Sequence, residues 1–240
     1  KIFKKKVVSF FEITQLKTYF FKKIILLLYR AFSDKLYVQS SEAELSLKRI
    51  GINPEGIIWN GIDLKKFQSI SSEPKKKYDL LFVNRFSREK GIDEFIKILE
   101  SLNEKLLLKK RICICGEGKL LTSFQKRVAP LKNIDISYMG WIERNSLMNI
   151  YDNSSCLISC SNFETWGFSI TEALAFGCNI ISSKFVTSSN EYSTITKKVF
   201  LYNSIEDAVS KFFFQESVKL DFNRIHLNIS NQAERLIHGL

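Results

Sequence analysis

From Tyr78 onward, short apolar runs alternate with amphipathic stretches of helical period, and this alternation constrains the fold more than any other feature of the 240 residues. The apolar runs fall at 80–84, 112–115, 134–139, 156–160, 180–182 and 199–202. Helical patterns lie near 92–105, 118–128, 144–151, 169–176 and 205–214, with a last one near 231–238. Short strands that are apolar along their whole length are buried on both faces. Strand–helix alternation stacks such strands into a parallel sheet with helices on either side. The expected fold class is α/β: a doubly wound, Rossmann-like domain over 78–220 with a helical tail over 221–240.

The earlier part of the chain has a different texture. Residues 68–77 are Ser, Glu, Pro and Lys with no apolar period, which reads as a linker. From Phe10 to Phe32, apolar residues recur at helical spacing with lysines between them, just after Lys4-Lys5-Lys6. This is a basic amphipathic helix, read first as packed on its own domain and second as lying on a membrane surface. A strand at 35–40, a helix at 41–51, a strand at 57–59 and a turn at Asn60-Gly61 follow. Two strands and two helices cannot close a sheet. Residues 1–67 are therefore expected to be the end of a second Rossmann-like domain whose earlier part is missing.

A net charge of +11 favours anionic partners: nucleic acid, anionic lipid or phosphorylated substrates. The five cysteines, at 113, 115, 156, 160 and 178, sit in apolar runs and form no C-x-x-C pair, as buried reduced thiols of a cytosolic protein do. The most apolar N-terminal stretch, 16–32, is interrupted by Lys22, Lys23 and Arg30 and is too short to span a bilayer. The two histidines, His226 and His238, lie far from every strand end, which argues against a His-based triad or metal site. There is no Gly-x-x-x-x-Gly-Lys-Ser/Thr loop and no basic-aromatic nucleic-acid motif, so no nucleic-acid partner is expected.

In an open parallel sheet, ligands bind beyond the carboxyl ends of the strands. Asn84-Arg85-Phe86-Ser87-Arg88-Glu89-Lys90-Gly91 follows the first strand of the domain and sets two cations, Arg85 and Lys90, beside a helix N-terminus. Such a place suits a diphosphate, and equally a solvated basic loop. Cys115-Gly116-Glu117-Gly118 makes a Gly-x-Gly turn, explained by helix–strand packing as well as by a ligand. Gly140, before Trp141, lets backbone face a planar base or makes an ordinary turn. After the fourth strand, Glu164 and Glu172 bracket Thr165-Trp166-Gly167-Phe168-Ser169-Ile170-Thr171. Ser169 to Glu172 has the form of a capping box, which would make Glu172 structural. Glu164 lies outside that helix and suits sugar hydroxyls.

Together these stretches resemble the family-four retaining glycosyltransferases of two-domain GT-B fold. E-T-W-G-F-S-I-T-E at 164–172 is similar to that family's E-x7-E donor motif, N-R-F-S-R-E-K-G at 84–91 to its G-R-x-x-x-x-K-G loop, and C-G-E-G at 115–118 to its G-x-G turn. N-G-I-D with Phe67 is similar to its interdomain N-G-V-D-x-x-x-F segment. The resemblance implies that Arg85 and Lys90 hold the diphosphate of a nucleotide-sugar donor and that Glu164 contacts the transferred sugar. The backbone of Gly167, Phe168 and Ser169 would meet phosphates or sugar, Glu172 the ribose hydroxyls, and backbone near Gly116 and Gly140 the rest of the nucleotide.

The resemblance also implies a metal-free retaining transfer to a glycan or lipid-linked acceptor. With the basic charge, it implies glycan or polysaccharide assembly in the cytoplasm and peripheral contact with an anionic membrane face. A non-catalytic nucleotide-sugar-binding module and a basic nucleic-acid-binding protein are the alternatives. Asn84 replaces the family's Gly, Asn179 its Pro, and Thr187-Ser188-Ser189-Asn190 the Gly-Gly stretch before Glu191. With most of the acceptor domain missing, the chain is expected to bind donor and transfer poorly.

Overall fold

The computed structural model describes residues 8–11, 20–62 and 76–217. These divide into two compact units, one ending at Gly61 and the other beginning at Ile62. Most of the expected linker, the interdomain Asp63 and Phe67, the tail over 221–240 and its helix near 231–238 lie outside the described residues.

The smaller unit contains β1 (Val8–Phe11), α1 (Phe20–Phe32), β2 (Lys35–Val38), α2 (Ser41–Lys48) and β3 (Gly56–Ile57). The strands are parallel in the order β1-β2-β3. The expected helix from Phe10 is therefore corrected at its start, because Phe10 and Phe11 belong to a strand in register with Tyr37 and Val38 of β2. A short apolar run fits either period, and here the ladder, with β-branched and aromatic side chains, decides it. Leu26, Leu36, Val38, Ala43, Leu47 and Ile52 form this unit's core. Ser40 caps α2 by accepting the Ala43 N–H at 3.1 Å. Among the described residues, no helix is long and apolar enough to cross a membrane.

The larger unit alternates β4 (Leu80–Val83), α3 (Ile92–Lys105), β5 (Lys110–Cys115), α4 (Leu121–Val128), β6 (Ile134–Gly140), α5 (Arg144–Asp152), β7 (Cys156–Ser159), α6 (Phe168–Ala175), β8 (Asn179–Ser183), α7 (Thr187–Ser193), β9 (Val199–Tyr202) and α8 (Ile205–Ser217). All six strands pair in parallel, in the order β6-β5-β4-β7-β8-β9. The sheet is doubly wound, as its apolar runs predict. Side chains alternate across it, so that Leu80 and Phe82 join a core with Phe95 of α3, Phe124 of α4 and Phe212 of α8. Phe95 stacks on Phe82 with ring centroids 4.3 Å apart and on Phe124 at 5.6 Å. The five cysteines are free and buried, as their apolar surroundings suggest.

Helix α7 has no counterpart among the expected elements. Its residues, Thr-Ser-Ser-Asn-Glu-Tyr-Ser, carry no apolar stripe, yet Thr187, Ser188, Ser189, Glu191 and Tyr192 are buried. A buried polar helix is invisible to a periodicity argument, because its inward face is recognised by hydrogen bonds rather than by hydrophobicity.

The winding reverses between β4 and β7, the adjacent central strands, and opens a crevice at their carboxyl ends. Gly91, at the N-terminus of α3, is the closest approach across this crevice. Its φ is 67°, and a Cβ there would lie 1.8 Å from the Cys160 carbonyl oxygen. Gly140 also has a positive φ, 63°, but its Cβ would meet only the Glu117 carboxylate, at 3.3 Å. Gly140→Ala is therefore expected to cost about 1–2 kcal/mol of stability, the left-handed penalty alone. Gly91→Ala should cost clearly more, because a main-chain carbonyl must move. Chemical denaturation of the two variants measures the difference.

Candidate functional site

The two loops that meet at the reversal carry Arg85, Lys90, Glu164 and Gly167 of the sequence-predicted residues. After β4 the chain runs through Asn84 and Arg85 into a 3-10 turn, Arg88–Lys90, before α3. After β7 it runs from Cys160 to Gly167 before α6. The loops are joined three ways. Gly91 packs on Cys160, the Asn162 N–H donates to the Glu89 carbonyl at 2.9 Å, and Lys90 forms an ion pair with Glu164. The Lys90 side chain is 11% exposed and that of Glu164 23%, so both charges are largely withdrawn from water. Such a pair holds its geometry only when both partners are present.

Arg85 is placed differently. Its side chain is 78% exposed and pairs with Glu89, at 3.7 Å. It lines a cleft of about 420 Å³ with Val83, Gly116, Glu117, Trp141 and Ile142 among its walls. Gly116 is accounted for by packing: a Cβ would lie 1.9 Å from the Asn84 carbonyl oxygen, and its N–H already donates to the Gly140 carbonyl at 2.6 Å. Glu117 accepts the Trp141 N–H at 3.3 Å, which ties the turn after β5 to the one after β6 beside Gly140. The cleft thus brings Arg85 and Gly116 together, while Lys90, Glu164 and Gly167 form a neighbouring cluster.

Gly167 caps α6 with φ 89°, Phe168 opens the helix and is exposed, and Ser169 is its second residue. The expected capping box is corrected here. Ser169 lies inside the helix, not at its cap, and the cap makes no side-chain hydrogen bond. Glu172 instead turns toward α5, where Oε2 accepts the Tyr151 O–H at 3.1 Å and Oε1 pairs with Arg144 at 3.2 Å. Burial raises the Glu172 pKa above the ordinary carboxylate value, against the pull of Tyr151 and Arg144. Among the described residues, no cluster of three or more His, Cys, Asp or Glu side chains gathers as metal ligands do.

Residues 63–211 match the glycosyl transferases group 1 family, well over half of the chain. The chain belongs to that family. Its relatives include an uncharacterized 41.2 kDa protein in the cps region of Klebsiella pneumoniae, 23% identical over 56% of this chain and 37% of that protein. Another is an α-1,4-N-acetyl-D-galactosaminyltransferase of Campylobacter jejuni, named for an undecaprenol-diphosphate-linked glycan; it is 25% identical over 64% of this chain and 42% of the relative. The structure of S. aureus TarM, in complex with fondaparinux, α-GlcNAc-glycerol and UDP, superimposes with a TM-score of 0.74 at 12% identity. The superposition covers 97% of this chain and 50% of TarM, and the fold is the GT-B fold of such enzymes. The chain thus spans half or less of each of these relatives.

Within this glycosyltransferase unit the structure adds residues that the sequence did not single out for the site. Thr187 donates its hydroxyl to the Glu164 carbonyl at 3.2 Å, and Ser188 donates its own to the Gly167 carbonyl at 3.3 Å. Their N–H groups bond the carbonyls of Glu164 and Trp166. The residues that replace the expected Gly-Gly therefore stitch the loop after β8 onto the turn that carries Glu164. Trp166 is buried and anchors the same turn through its indole N–H to Thr171, 3.1 Å away. Tyr151 and Arg144 hold Glu172, and no sequence signal links either to it across 21 or 28 positions.

Glu172 carries a stability consequence. A carboxyl whose pKa is raised by folding favours the fold while it is protonated, and that contribution is lost as pH rises through the folded value. In its ionised form the buried Glu172 is therefore a burden on the fold. Glu172→Gln can still accept from Tyr151 and is expected to be at least as heat-stable as the wild type at pH 7. Its advantage should shrink as pH falls toward the ordinary carboxylate range. Thermal midpoints measured across pH test this.

Proposed function

We propose that this chain is the donor-binding part of a retaining glycosyltransferase that moves a sugar from a nucleoside-diphosphate sugar to a glycan or lipid-linked acceptor. The observation that carries the reading is the meeting of Lys90, Glu164 and the Arg85 cleft at the reversal of the sheet. The base occupies the cleft walled by Trp141 and Ile142. The diphosphate lies by Arg85 and Lys90, and the sugar lies by Glu164 and the Gly167 turn. TarM's complex with UDP and the lipid-linked glycan in the name of the Campylobacter relative support this choice of donor and acceptor classes.

The chemistry follows from charge. When the bond from the sugar to the diphosphate breaks, negative charge develops on the leaving phosphate oxygen. Cations placed in advance stabilise that charge in the transition state more than in the ground state. Lys90 is pre-aligned by its ion pair, and Glu164, once the ammonium turns to phosphate, is left free to accept from sugar hydroxyls. Attack by the acceptor hydroxyl on the face that the diphosphate leaves retains the anomeric configuration. Its proton passes to the departing phosphate oxygen, so the step needs neither a metal nor a protein nucleophile. The net charge of +11 suits work at an anionic cytoplasmic membrane face.

Arg85 gives the cleanest test, because its exposed side chain has little structural duty. Arg85→Ala is predicted to keep a near-native thermal midpoint and to weaken the binding of UDP, GDP or ADP, whichever binds the wild type, by about tenfold or more. Thermal unfolding measures the first and calorimetric titration the second. Failure of the wild type to bind any nucleoside diphosphate overturns the reading, and unchanged affinity in the variant removes Arg85 from it.

A further inference from the structure

We propose that Tyr151 is a positioning residue for donor recognition, fixing one oxygen of Glu172, and that Arg144 covers the other oxygen until a vicinal diol of the donor's ribose displaces it. The inference rests on the reading that Glu172 binds the ribose, and it assigns roles to two residues on a different helix.

The two partners of Glu172 differ in what it takes to move them. Tyr151 is fully buried, donates to Oε2 at 3.1 Å, and stacks its ring near Phe176 with centroids 6.1 Å apart. Its hydroxyl is fixed by the packing of its ring. Arg144 reaches Oε1 at 3.2 Å with a side chain 61% exposed, against 9% for Glu172. An exposed guanidinium gains little from such a pair, because water takes its place at small cost. A carboxylate oxygen accepts more than one hydrogen bond, so Oε1 passes from the guanidinium to a pair of ribose hydroxyls with no change at Oε2.

Location supports the exchange. Arg144 is the first residue of α5 and stands two positions after Ile142, which lines the base cleft with Trp141. A nucleoside with its base there brings its ribose toward the first turn of α5. The Tyr151 bond is already made before the ligand arrives, so orienting the carboxylate adds no ordering cost on binding.

Tyr151 also acts on protonation. Its O–H and the Arg144 charge both favour ionised Glu172 against burial. Cys115 and Cys178 face Tyr151, and α7, packed beside α6, brings Glu191 and Tyr192. Removing the Tyr151 hydroxyl moves Glu172 protonation to higher pH, and diol binding is then lost at a higher pH on acidification.

The experiment uses the tightest-binding of UDP, GDP and ADP together with its 2′,3′-dideoxy form. Both are titrated calorimetrically against the wild type, Tyr151→Phe, Arg144→Gln, Glu172→Gln and the Tyr151→Phe/Glu172→Gln double variant. The wild type should prefer the ribo form. Tyr151→Phe should weaken the ribo form by about tenfold and leave the dideoxy form unchanged, which also shows that the site is folded. The double variant should bind no worse than Glu172→Gln alone, because the tyrosine acts only through that carboxylate. Equal weakening of both forms by Tyr151→Phe, additive effects, or an unmoved acid limb overturns the positioning role. Arg144→Gln should keep the ribo preference within about threefold of the wild type, as expected when the exposed guanidinium is the group that the ribose displaces. Collapse of the preference to the Glu172→Gln level overturns the displaceable role. If the wild type binds both forms equally, it is the ribose reading of Glu172 that falls, and this inference falls with it.

Discussion

The Lys90–Glu164 ion pair is the interaction on which the crevice of the larger unit depends. It closes a crevice that the chain topology opens, since β4 and β7 are neighbours in the sheet while their following loops depart to opposite faces. Two charges this far from water are costly unless matched, and each makes the other tolerable. The pairing sets the distance between a cation suited to phosphate and a carboxylate suited to sugar hydroxyls before any ligand is present. Around it the backbone is fixed by Gly91 on Cys160, by Asn162 on Glu89 and by the hydroxyls of Thr187 and Ser188. The rigidity around the pair lies in the main chain.

Much of the larger unit is legible in its sequence because its strands are buried on both faces and its helices on one. Those two patterns differ in period, and all six strands of the doubly wound sheet fall where the apolar runs place them. Legibility fails where burial is not hydrophobic. Helix α7 is buried through serine, threonine and glutamate, and a polar stretch of seven residues looks like a loop to any argument from hydropathy. It fails again at β1, where four residues with a mixed apolar pattern fit a helix until a partner strand chooses for them. In both places tertiary pairing, not local preference, decides.

At the site, the positions of Arg85, Lys90, Glu164 and Gly167 follow from motif spacing, because strand ends bring the loops to one edge. Their partners do not. The Ser169–Glu172 spacing fits a capping box, but Gly167 takes the cap in a left-handed conformation and shifts Ser169 into the helix. That releases Glu172 to face α5, where Arg144 and Tyr151 meet it from another segment of the chain. Likewise, Thr187 and Ser188 look like a departure from a glycine pattern. Their hydroxyls, however, are what bind the loop after β8 to the Glu164 turn, so the substitution trades backbone freedom for a fixed stitch.

The two glutamates of the stretch from Glu164 to Glu172 are therefore held by opposite logic. Glu164 is balanced by Lys90, and removing either partner leaves the other charge stranded in a place the fold has partly closed to water. Glu172 is only partly balanced, since its stronger neighbour is a neutral hydroxyl and its cation is mostly in solvent. Burial dominates there and raises its pKa, which means that the fold bears a cost to keep an ionised carboxylate at that point. Glutamine would make the same bond with Tyr151. What glutamine lacks is a negative charge on the outer oxygen, the one that Arg144 covers. That charge pairs with Arg144 in the fold, and under the proposed function it is also the group that the ribose hydroxyls would meet.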